Sequence, residues 1–246
     1  MTIILLYHQS PCKNFKYFYN SYAQLYNKCE FNNLPSYNRF IELKSRVIVY
    51  LVYLLEWYCH EATNTGISYI DSTPIAVCQP KRISRNKVFS GIARLGKSTN
   101  GWFLGFKLHL VINEIGEIQS LCLTQGNTND RKPVAYLTKR LTGLLFGDKG
   151  YIKQELFKEL QERGLKFITG IRKKMKNHLM LLFEKILLRK RSIIETVFCI
   201  LKYHFELEHT RHRSVWNAIV HIFSTLIAYC LKPTKPAISL TYLIPN

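Results

Sequence analysis

Residues 143–151 read GLLFGDKGY, an apolar run that ends on an aspartate placed between two glycines. The apolar residues predict a buried strand that ends near Gly147. One interpretation of the Asp-Lys-Gly segment is a plain turn, because aspartate hydrogen-bonds to its own backbone and glycine tolerates positive φ. The alternative is that the strand serves to place the carboxylate of Asp148 at the end of a sheet, as a catalytic or metal-binding group.

The composition indicates a globular protein with a polyanionic partner. The chain has 246 residues, of which 47% are hydrophobic and 21% charged, which is enough for one sizeable core. Lys and Arg number 35 against 16 Asp and Glu, and the formal net charge is +19. Nucleic acid is the expected partner of such an excess, because neutralising phosphates releases their counterions.

The cysteines and the apolar runs give information about the cellular compartment of the protein. The seven cysteines form no CxxC pair and no Cys-His cluster at zinc-ligand spacing, so we expect reduced thiols. The longest apolar runs, at 47–57 and 219–231, are shorter than the ~20 residues that span a bilayer. The first residues lack the features of a signal peptide. We therefore expect a cytoplasmic protein with no membrane partner.

The order of the predicted elements indicates an α/β fold. Aromatic-rich segments at 14–31 and 39–61 predict helices, which form an N-terminal helical region. Strands are predicted at 67–78, 101–113, 118–127, 143–147 and 165–172, with a basic loop at 79–100. Helices are predicted from the N-cap Asn129 over 130–141, then at 151–164 with Gly164 as the C-terminal cap, at 191–205 and at 214–231. This order is the one used by ribonuclease H-like folds, with a mixed five-stranded sheet flanked by helices.

We expect three regions along the chain. Residues 1–63 are the helical region, with a role in DNA binding or dimerisation. Residues 64–232 form the ribonuclease H-like domain, and residues 233–246 are a C-terminal tail.

Three carboxylates occupy informative positions. Asp71 lies inside an apolar strand, where an unpaired carboxylate is costly, although a solvated aspartate at a strand edge is the alternative. Glu195 lies on a late helix and, taken alone, is a surface residue paired with Arg191 at i, i+4. Arg191, Glu195 and Lys202 share one side of that helix, which permits either a solvated or a catalytic stripe. Ribonuclease H-like nucleases place metal ligands on the middle strand, the adjacent strand end and the final helix, where Asp71, Asp148 and Glu195 stand.

The chain resembles the DDE transposases of bacterial insertion sequences, most closely the insertion-sequence nine-eight-two family. The resemblance covers about residues 30–235 and includes DSTPIAVC, LFGDKGY, ILLRKRSIIETVF and EHTRHRS, in the order of the family. It implies that Asp71, Asp148 and Glu195 are the catalytic triad and bind two Mg²⁺ or Mn²⁺ ions. The implied reaction is cleavage of a DNA strand and its transfer to a target.

The resemblance also implies partners. These are the insertion-sequence ends and the target DNA, bound by a homodimer in the bacterial cytoplasm. Arg191 and Lys202 resemble family residues that contact DNA, although Leu188 stands where a tyrosine often accompanies them. The other predicted DNA-binding residues are basic: Lys81, Arg82, Arg85, Lys87 and Lys149.

Two other functions remain open. One is a ribonuclease H-like nuclease that only cleaves DNA. The other is an inactive remnant that only binds DNA, because family members usually carry a longer N-terminal region and Met1 resembles an internal start.

Several other side chains have more ordinary interpretations. Asp130 resembles a family position, but the favoured interpretation is that it stabilises the start of a helix. His204, His209 and His212 lie among basic residues without a cysteine partner, so phosphate or solvent contact is favoured over zinc. Trp102 and the other aromatic residues are expected mostly in the core, with some able to stack on unpaired bases.

Overall fold

The structure is a computed structural model that describes residues 1–26, 29–31, 33–99, 101–170 and 180–239. The strands are β1 Ile67–Ala76, β2 Arg94–Ser98, β3 Gly101–Asn113, β4 Ile118–Gln125, β5 Gly143–Gly147 and β6 Leu165–Thr169. The α-helices are α1 Thr2–Gln9, α2 Phe15–Tyr17, α3 Tyr37–Leu43, α4 Ile48–Glu61, α5 Val134–Leu137, α6 Gln154–Glu162, α7 Leu182–Arg189, α8 Ser192–Cys199 and α9 Val215–Cys230. The 3₁₀ segments are Lys44–Val47, Pro80–Arg85 and Lys149–Tyr151, and π-helices follow α2 at Phe18–Tyr26 and α8 at Ile200–His204.

The sheet is mixed, and its topology places the site. Its order is β2-β3-β1-β5-β6, with β4 also paired to β3. β3 runs antiparallel to β1, β2 and β4, whereas β5 runs parallel to both β1 and β6. Parallel neighbours need a crossover, and α6 provides it between β5 and β6. This confirms the predicted ribonuclease H-like fold class.

The sheet has six strands, where five were predicted. The additional strand is β2, which lies inside the stretch 79–100 that we predicted as a loop. β2 has no apolar alternation, and it forms because its backbone pairs with β3, with Lys97 opposite Trp102. The stretch also contains the 3₁₀ helix Pro80–Arg85, and Phe89 is buried in a small core with Phe106. Trp102 is 58% exposed, so its placement in the core was wrong.

Local backbone chemistry explains the shifted helix boundaries. The helix predicted over 130–141 is reduced to α5, because Pro133 has no amide to donate and Thr138 bonds back to the carbonyl of Val134. α6 begins later than predicted, because a 3₁₀ turn follows β5. Gly164 follows α6 with φ of +75°, in agreement with its predicted role as a cap.

Other segments differ in extent. α1 and α7 were not predicted as helices, and the helix predicted over 39–61 begins at Tyr37 and is interrupted by a 3₁₀ turn. The helices predicted over 191–205 and 214–231 are confirmed as α8 with its π-helix and as α9. The strand predicted over 165–172 ends at Thr169, and its last two residues lie outside the described residues.

Helices cover both faces of the sheet. On one face, α1, α4, α7, α8 and α9 pack against a core that includes Tyr69, Leu110 and Phe146. We call this the α9 face. On the other, α5 and α6 pack against Ile70 and Leu145. Among the described residues no helix is both long and apolar enough to span a membrane. The division at residues 63 and 232 stays a prediction.

Candidate active site

Asp71 and Asp148 lie at the same level of two adjacent parallel strands. β1 and β5 pair Tyr69 with Phe146, and the two rings stack on the α9 face with centroids 5.4 Å apart. Side chains two residues apart along a strand point to the same face. Asp71 and Asp148 each lie two residues beyond that pair, and Asp148 keeps an extended backbone at φ −76° and ψ 163°. Both carboxylates are therefore directed toward the α9 face, on strands about 5 Å apart.

Arg191 joins Asp71 to Glu195. Its Nη1 lies 3.3 Å from Oδ2 of Asp71, and its Nη2 lies 2.9 Å from Oε1 of Glu195. Arg191 precedes α8, which packs against β1 on the α9 face. The i, i+4 pair with Glu195 that the sequence indicates is therefore present. The same guanidinium also binds a carboxylate from the sheet, so one side chain bridges the strand and the helix.

The surroundings of Asp71 are strongly acidic. Burial raises the pKa of Asp71 to about 6, and the charges of Asp148 and Glu195 act in the same direction. The Ser72 amide, which donates to Oδ1 at 2.8 Å, and the Arg191 guanidinium oppose that rise in pKa. The Asp71 side chain is only 23% exposed. One guanidinium thus stands against three carboxylates, and the site retains an excess of negative charge that favours cations.

The donor set fits a divalent cation chemically. Carboxylate oxygens are the ligands that Mg²⁺ and Mn²⁺ prefer, and Asp71, Asp148 and Glu195 supply them from three elements. Within the described ranges, no three His, Cys, Asp or Glu side chains are grouped closely enough to hold a metal ion. Glu195 is instead held by Arg191. The assignment of these three acids as catalytic and metal-binding residues stays a prediction.

Asp130 belongs to a polar network beside β1. Its Oδ1 accepts hydrogen bonds from Ser72 Oγ at 2.9 Å and from Lys107 Nζ at 3.0 Å. The expected role at a helix start was wrong, because the nearest helix begins only at Val134. Sequence reasoning missed Ser72 and Lys107. The signal for Lys107 was a cation inside the apolar strand β3, which needs a buried or half-buried partner.

Tyr151 lies close to the acids. It is buried, and burial raises the pKa of its hydroxyl, with further contributions from Asp71, Asp130 and Asp148. It closes the 3₁₀ turn after Asp148 and packs in the core of the α5 and α6 face. The turn that follows β5 is thereby anchored in a hydrophobic core, which holds Asp148 in place.

The predicted DNA-binding residues are distributed over separate surfaces. Lys202 Nζ lies 3.5 Å from Glu208, whose other carboxylate oxygen accepts from the Ala76 amide. Lys149 follows Asp148 directly, and its aliphatic side chain packs against Gly170, where a Cβ atom would lie 2.9 Å from the Cε atom of Lys149. The remaining residues are exposed in the segment that follows β1, namely Lys81, Arg82, Arg85 and Lys87.

The histidines lie away from the carboxylates and form their own cluster. The rings of His212 and His221 are 5.1 Å apart, and His209 and His8 pack against the same group. His212 packs against His209 and His221 and is partly exposed, and His209 is exposed. His204 is exposed and packs its ring edge-on against Phe205.

Comparison with known proteins identifies the family. A family model described as a transposase DDE domain matches residues 61–215. This is more than half of the chain, and the protein belongs to that family.

Two further comparisons add little. Among solved structures, the catalytic domain of Mos1 mariner transposase is similar at 12% identity and a TM-score of 0.26, over 81% of this chain and 95% of that one. At that TM-score the likeness adds nothing to the fold assignment, which rests on the strand order. The search of curated proteins found no match.

Proposed function

We propose that the protein is a bacterial transposase of the insertion-sequence nine-eight-two family that cleaves the ends of its insertion sequence and joins them to target DNA. The observation that carries this proposal is the placement of Asp71 and Asp148 at one level of adjacent strands, with Glu195 joined to Asp71 through Arg191. The match to the transposase DDE domain supports it independently.

We assign the three acids to two Mg²⁺ or Mn²⁺ ions. When bound, such a pair supplies the Lewis acidity for an in-line displacement at phosphorus. The chain itself contributes position. Asp71 is fixed within β1 by the Ser72 amide, and Asp148 is fixed by the turn that Tyr151 anchors. Arg191 is in reach of both Asp71 and Glu195, so its guanidinium can bind a phosphate oxygen beside them.

Two displacements account for the reaction. In the first, a water oxygen bonds to the phosphorus at the element's end, and the 3′ oxygen leaves and takes up a proton. In the second, that 3′-hydroxyl loses its proton and its oxygen bonds to a phosphorus of the target, while a target 3′ oxygen leaves and takes up a proton. The first step hydrolyses one phosphodiester bond, the second exchanges one phosphodiester bond for another, and neither needs an oxidant or reductant.

DNA is the proposed partner, and two copies of the chain each take one end of the element. The contacts we propose on each copy come from basic residues: Arg191, Lys202, Lys149, Lys81, Arg82, Arg85 and Lys87. Because Glu208 already holds Lys202, we expect the Lys202 contact to depend on displacing that carboxylate.

The test uses Asp71→Asn, Asp148→Asn and Glu195→Gln with a plasmid that carries the gene and its flanking DNA. In Mg²⁺ or Mn²⁺ the native protein should release 3′-hydroxyl ends and form joined products. Each substitution should lower cleavage at least about a thousandfold while DNA binding persists, because the phosphate meets less negative charge. Ca²⁺ should not support the reaction, because its looser coordination places the reacting oxygens poorly.

Glu159→Gln, on the exposed side of α6, is the matched control and should cleave normally. Near-native cleavage by any one of the three variants would remove that residue from the triad. Cleavage without joined products would identify a nuclease, and binding without cleavage by the native protein would leave only a DNA-binding function.

A further inference from the structure

The segment between Ser72 and Asn113 carries an uncompensated basic surface. Every charged side chain in it is Lys or Arg. Lys107 pairs with Asp130. Within the described part of the chain the others form no ion pair, and all are exposed: Lys81, Arg82, Arg85, Lys87, Arg94 and Lys97. A surface of this kind attracts a polyanion.

The hairpin of β2 and β3 adds an exposed aromatic side chain to that surface. Trp102 stands opposite Lys97, whose Nζ lies 5.7 Å from the centroid of the indole ring. Leu95, the next residue of β2 on the same face, is also exposed. A cation beside a flat aromatic surface is a combination that nucleic-acid-binding proteins use, with the cation on phosphate and the ring on sugar or base.

Glycines allow the hairpin to pack closely against the sheet. A Cβ atom on Gly96 would lie 2.2 Å from the carbonyl oxygen of Gly126, and one on Gly105 would lie 2.0 Å from that of Ile75. Backbone therefore packs directly on backbone at the base of the hairpin. The Gln125 side chain also donates to the carbonyl of Ile92 at 3.2 Å. The hairpin thus extends the sheet, and these contacts determine its position relative to the other strands.

The register places this surface relative to the acids. Asp71 stands opposite Leu110 on β3, and Trp102 lies eight residues earlier on the same strand. An even spacing puts the Trp102 side chain on the same face of the sheet as Asp71. At ~3.3 Å per residue the two positions are about 26 Å apart along β3. Duplex DNA covers that distance in about eight base pairs.

We propose that the hairpin of β2 and β3 is a DNA-binding arm that holds duplex DNA about eight base pairs from the phosphate cleaved at Asp71. Lys97 binds a backbone phosphate, and the indole of Trp102 packs against the neighbouring deoxyribose. The inference rests on the proposed function, because its distance is counted from the catalytic acids.

The first experiment follows the fluorescence of single tryptophans. The chain has three, Trp57, Trp102 and Trp216, and all are exposed. In the variant W57F/W216F only Trp102 remains, and addition of a 16-base-pair duplex of arbitrary sequence should quench its emission. The comparison variant W102F/W216F keeps only Trp57, on α4, and reports separately whether the N-terminal helical region also contacts the duplex. Anisotropy of the labelled duplex reports binding for both variants.

The second experiment tests the spacing by duplex length. Lys97→Ala should weaken binding of the 16-base-pair duplex about fivefold, because the variant cannot form one of the phosphate contacts. A six-base-pair duplex can bind at Arg191 but cannot reach Lys97 as well, so its affinity should fall less than twofold. Equal losses of affinity for both lengths would overturn the spacing.

The outcomes separate the arm from the proposed function. Unchanged Trp102 emission in a protein that binds and cleaves DNA would overturn the arm and leave the function standing. Quenching by a 16-nucleotide single strand and not by the duplex would overturn duplex binding in favour of stacking on unpaired bases. If the native protein neither binds nor cleaves DNA, the proposed function fails.

Discussion

Two clusters of titratable side chains each contain groups that the fold partly or fully buries, Asp71 in one and His8, His212 and His221 in the other, and the two clusters are accommodated in opposite ways. Asp71 is kept charged at neutral pH beside Arg191, with Asp148 and Glu195 nearby, although burial raises its pKa to about 6. The imidazoles are kept neutral. Burial lowers the pKa values of His8 and His212 to about 3 and that of His221 well below its usual value.

The hydrogen bonds show why the imidazoles need no charge. His221 Nε2 donates to the carbonyl of Glu206 at 2.8 Å, and His8 Nδ1 donates to that of Phe205 at 3.3 Å. Glu206 has φ of +53°, so these rings bind backbone oxygens at a left-handed turn that follows the π-helix. Neutral rings can donate both of these hydrogen bonds, and the contacts of His8 with Ser224 and His221 connect α1 to α9. The acids are satisfied only in part, which is what a site for cations and phosphate requires.

The largest effect we expect is acid destabilisation through the histidine cluster. A histidine with a lowered folded pKa is protonated more readily in the unfolded chain, so its contribution to stability is complete above pH ~6.5 and is lost as the pH falls toward the folded pKa. Each such histidine lowers the free energy of unfolding by up to about 1.4 kcal/mol per pH unit. Thermal unfolding between pH 8 and pH 5 should show the melting temperature falling below pH 6.5.

Other charged side chains face the histidine cluster and also influence how the stability depends on pH. Burial lowers the pKa of Lys44 to about 8, so the contribution of Lys44 to stability changes with pH only in alkaline solution, while Glu206 and Arg211 act on the pKa of His209 with opposite signs. His212→Gln should reduce the slope of stability against pH. His60→Gln, on the exposed side of α4, is the control and should leave it unchanged. A melting temperature that is constant from pH 7 to pH 5 would contradict the neutral cluster.

The next effect concerns the charged cluster and is of intermediate size. Arg191→Gln removes two ion pairs and leaves Asp71 without its cation, and we expect a loss of about 1–3 kcal/mol in the free energy of unfolding. Lys202→Gln should cost less than about 1 kcal/mol, because Glu208 keeps the Ala76 amide as a donor. Urea denaturation measures both. Equal losses of stability would show that bridging two carboxylates gives Arg191 no special role.

The same contrast explains how much of the site the sequence could predict. Apolar strands around Asp71 and before Asp148 have a clear pattern, so both strands could be predicted from the sequence, and the ribonuclease H-like order of elements predicted that they are neighbours. The pairing that sets the two acids at one level is seen only in the structure. The sequence places Glu195 on a helix but does not show what its side chain faces. The positions of Arg191 and Glu195 around that helix are equally consistent with an ion pair in solvent and with a catalytic site. The bond from Arg191 to Asp71 spans 120 residues and depends on how α8 packs against β1.

Interactions between backbones were invisible in the sequence. β2 carries no apolar alternation that would have indicated a strand. It forms because its backbone pairs with β3 and because the glycines at the base of the hairpin let the backbones approach closely. The histidine cluster was missed for a related reason. His8 and His221 lie 213 positions apart, and only the packing of α1 against α9 brings the two rings together.

The smallest effect on stability, and the sharpest contrast with the histidines, is expected for the basic surface after β1. The triple variant Lys81→Glu, Arg82→Glu and Arg85→Glu changes exposed charges and should alter the free energy of unfolding by less than about 0.5 kcal/mol. The slope of log affinity for a duplex against log salt concentration should become less steep by about 0.9 for each phosphate that the variant no longer neutralises.

The matched control reverses three exposed cations beside α5 and on α6, namely Lys139, Arg140 and Lys158, and should keep the native slope. Reversals that flatten the slope equally on both surfaces would mean that net charge alone drives binding. A slope that neither variant changes would remove the segment after β1 from the DNA interface.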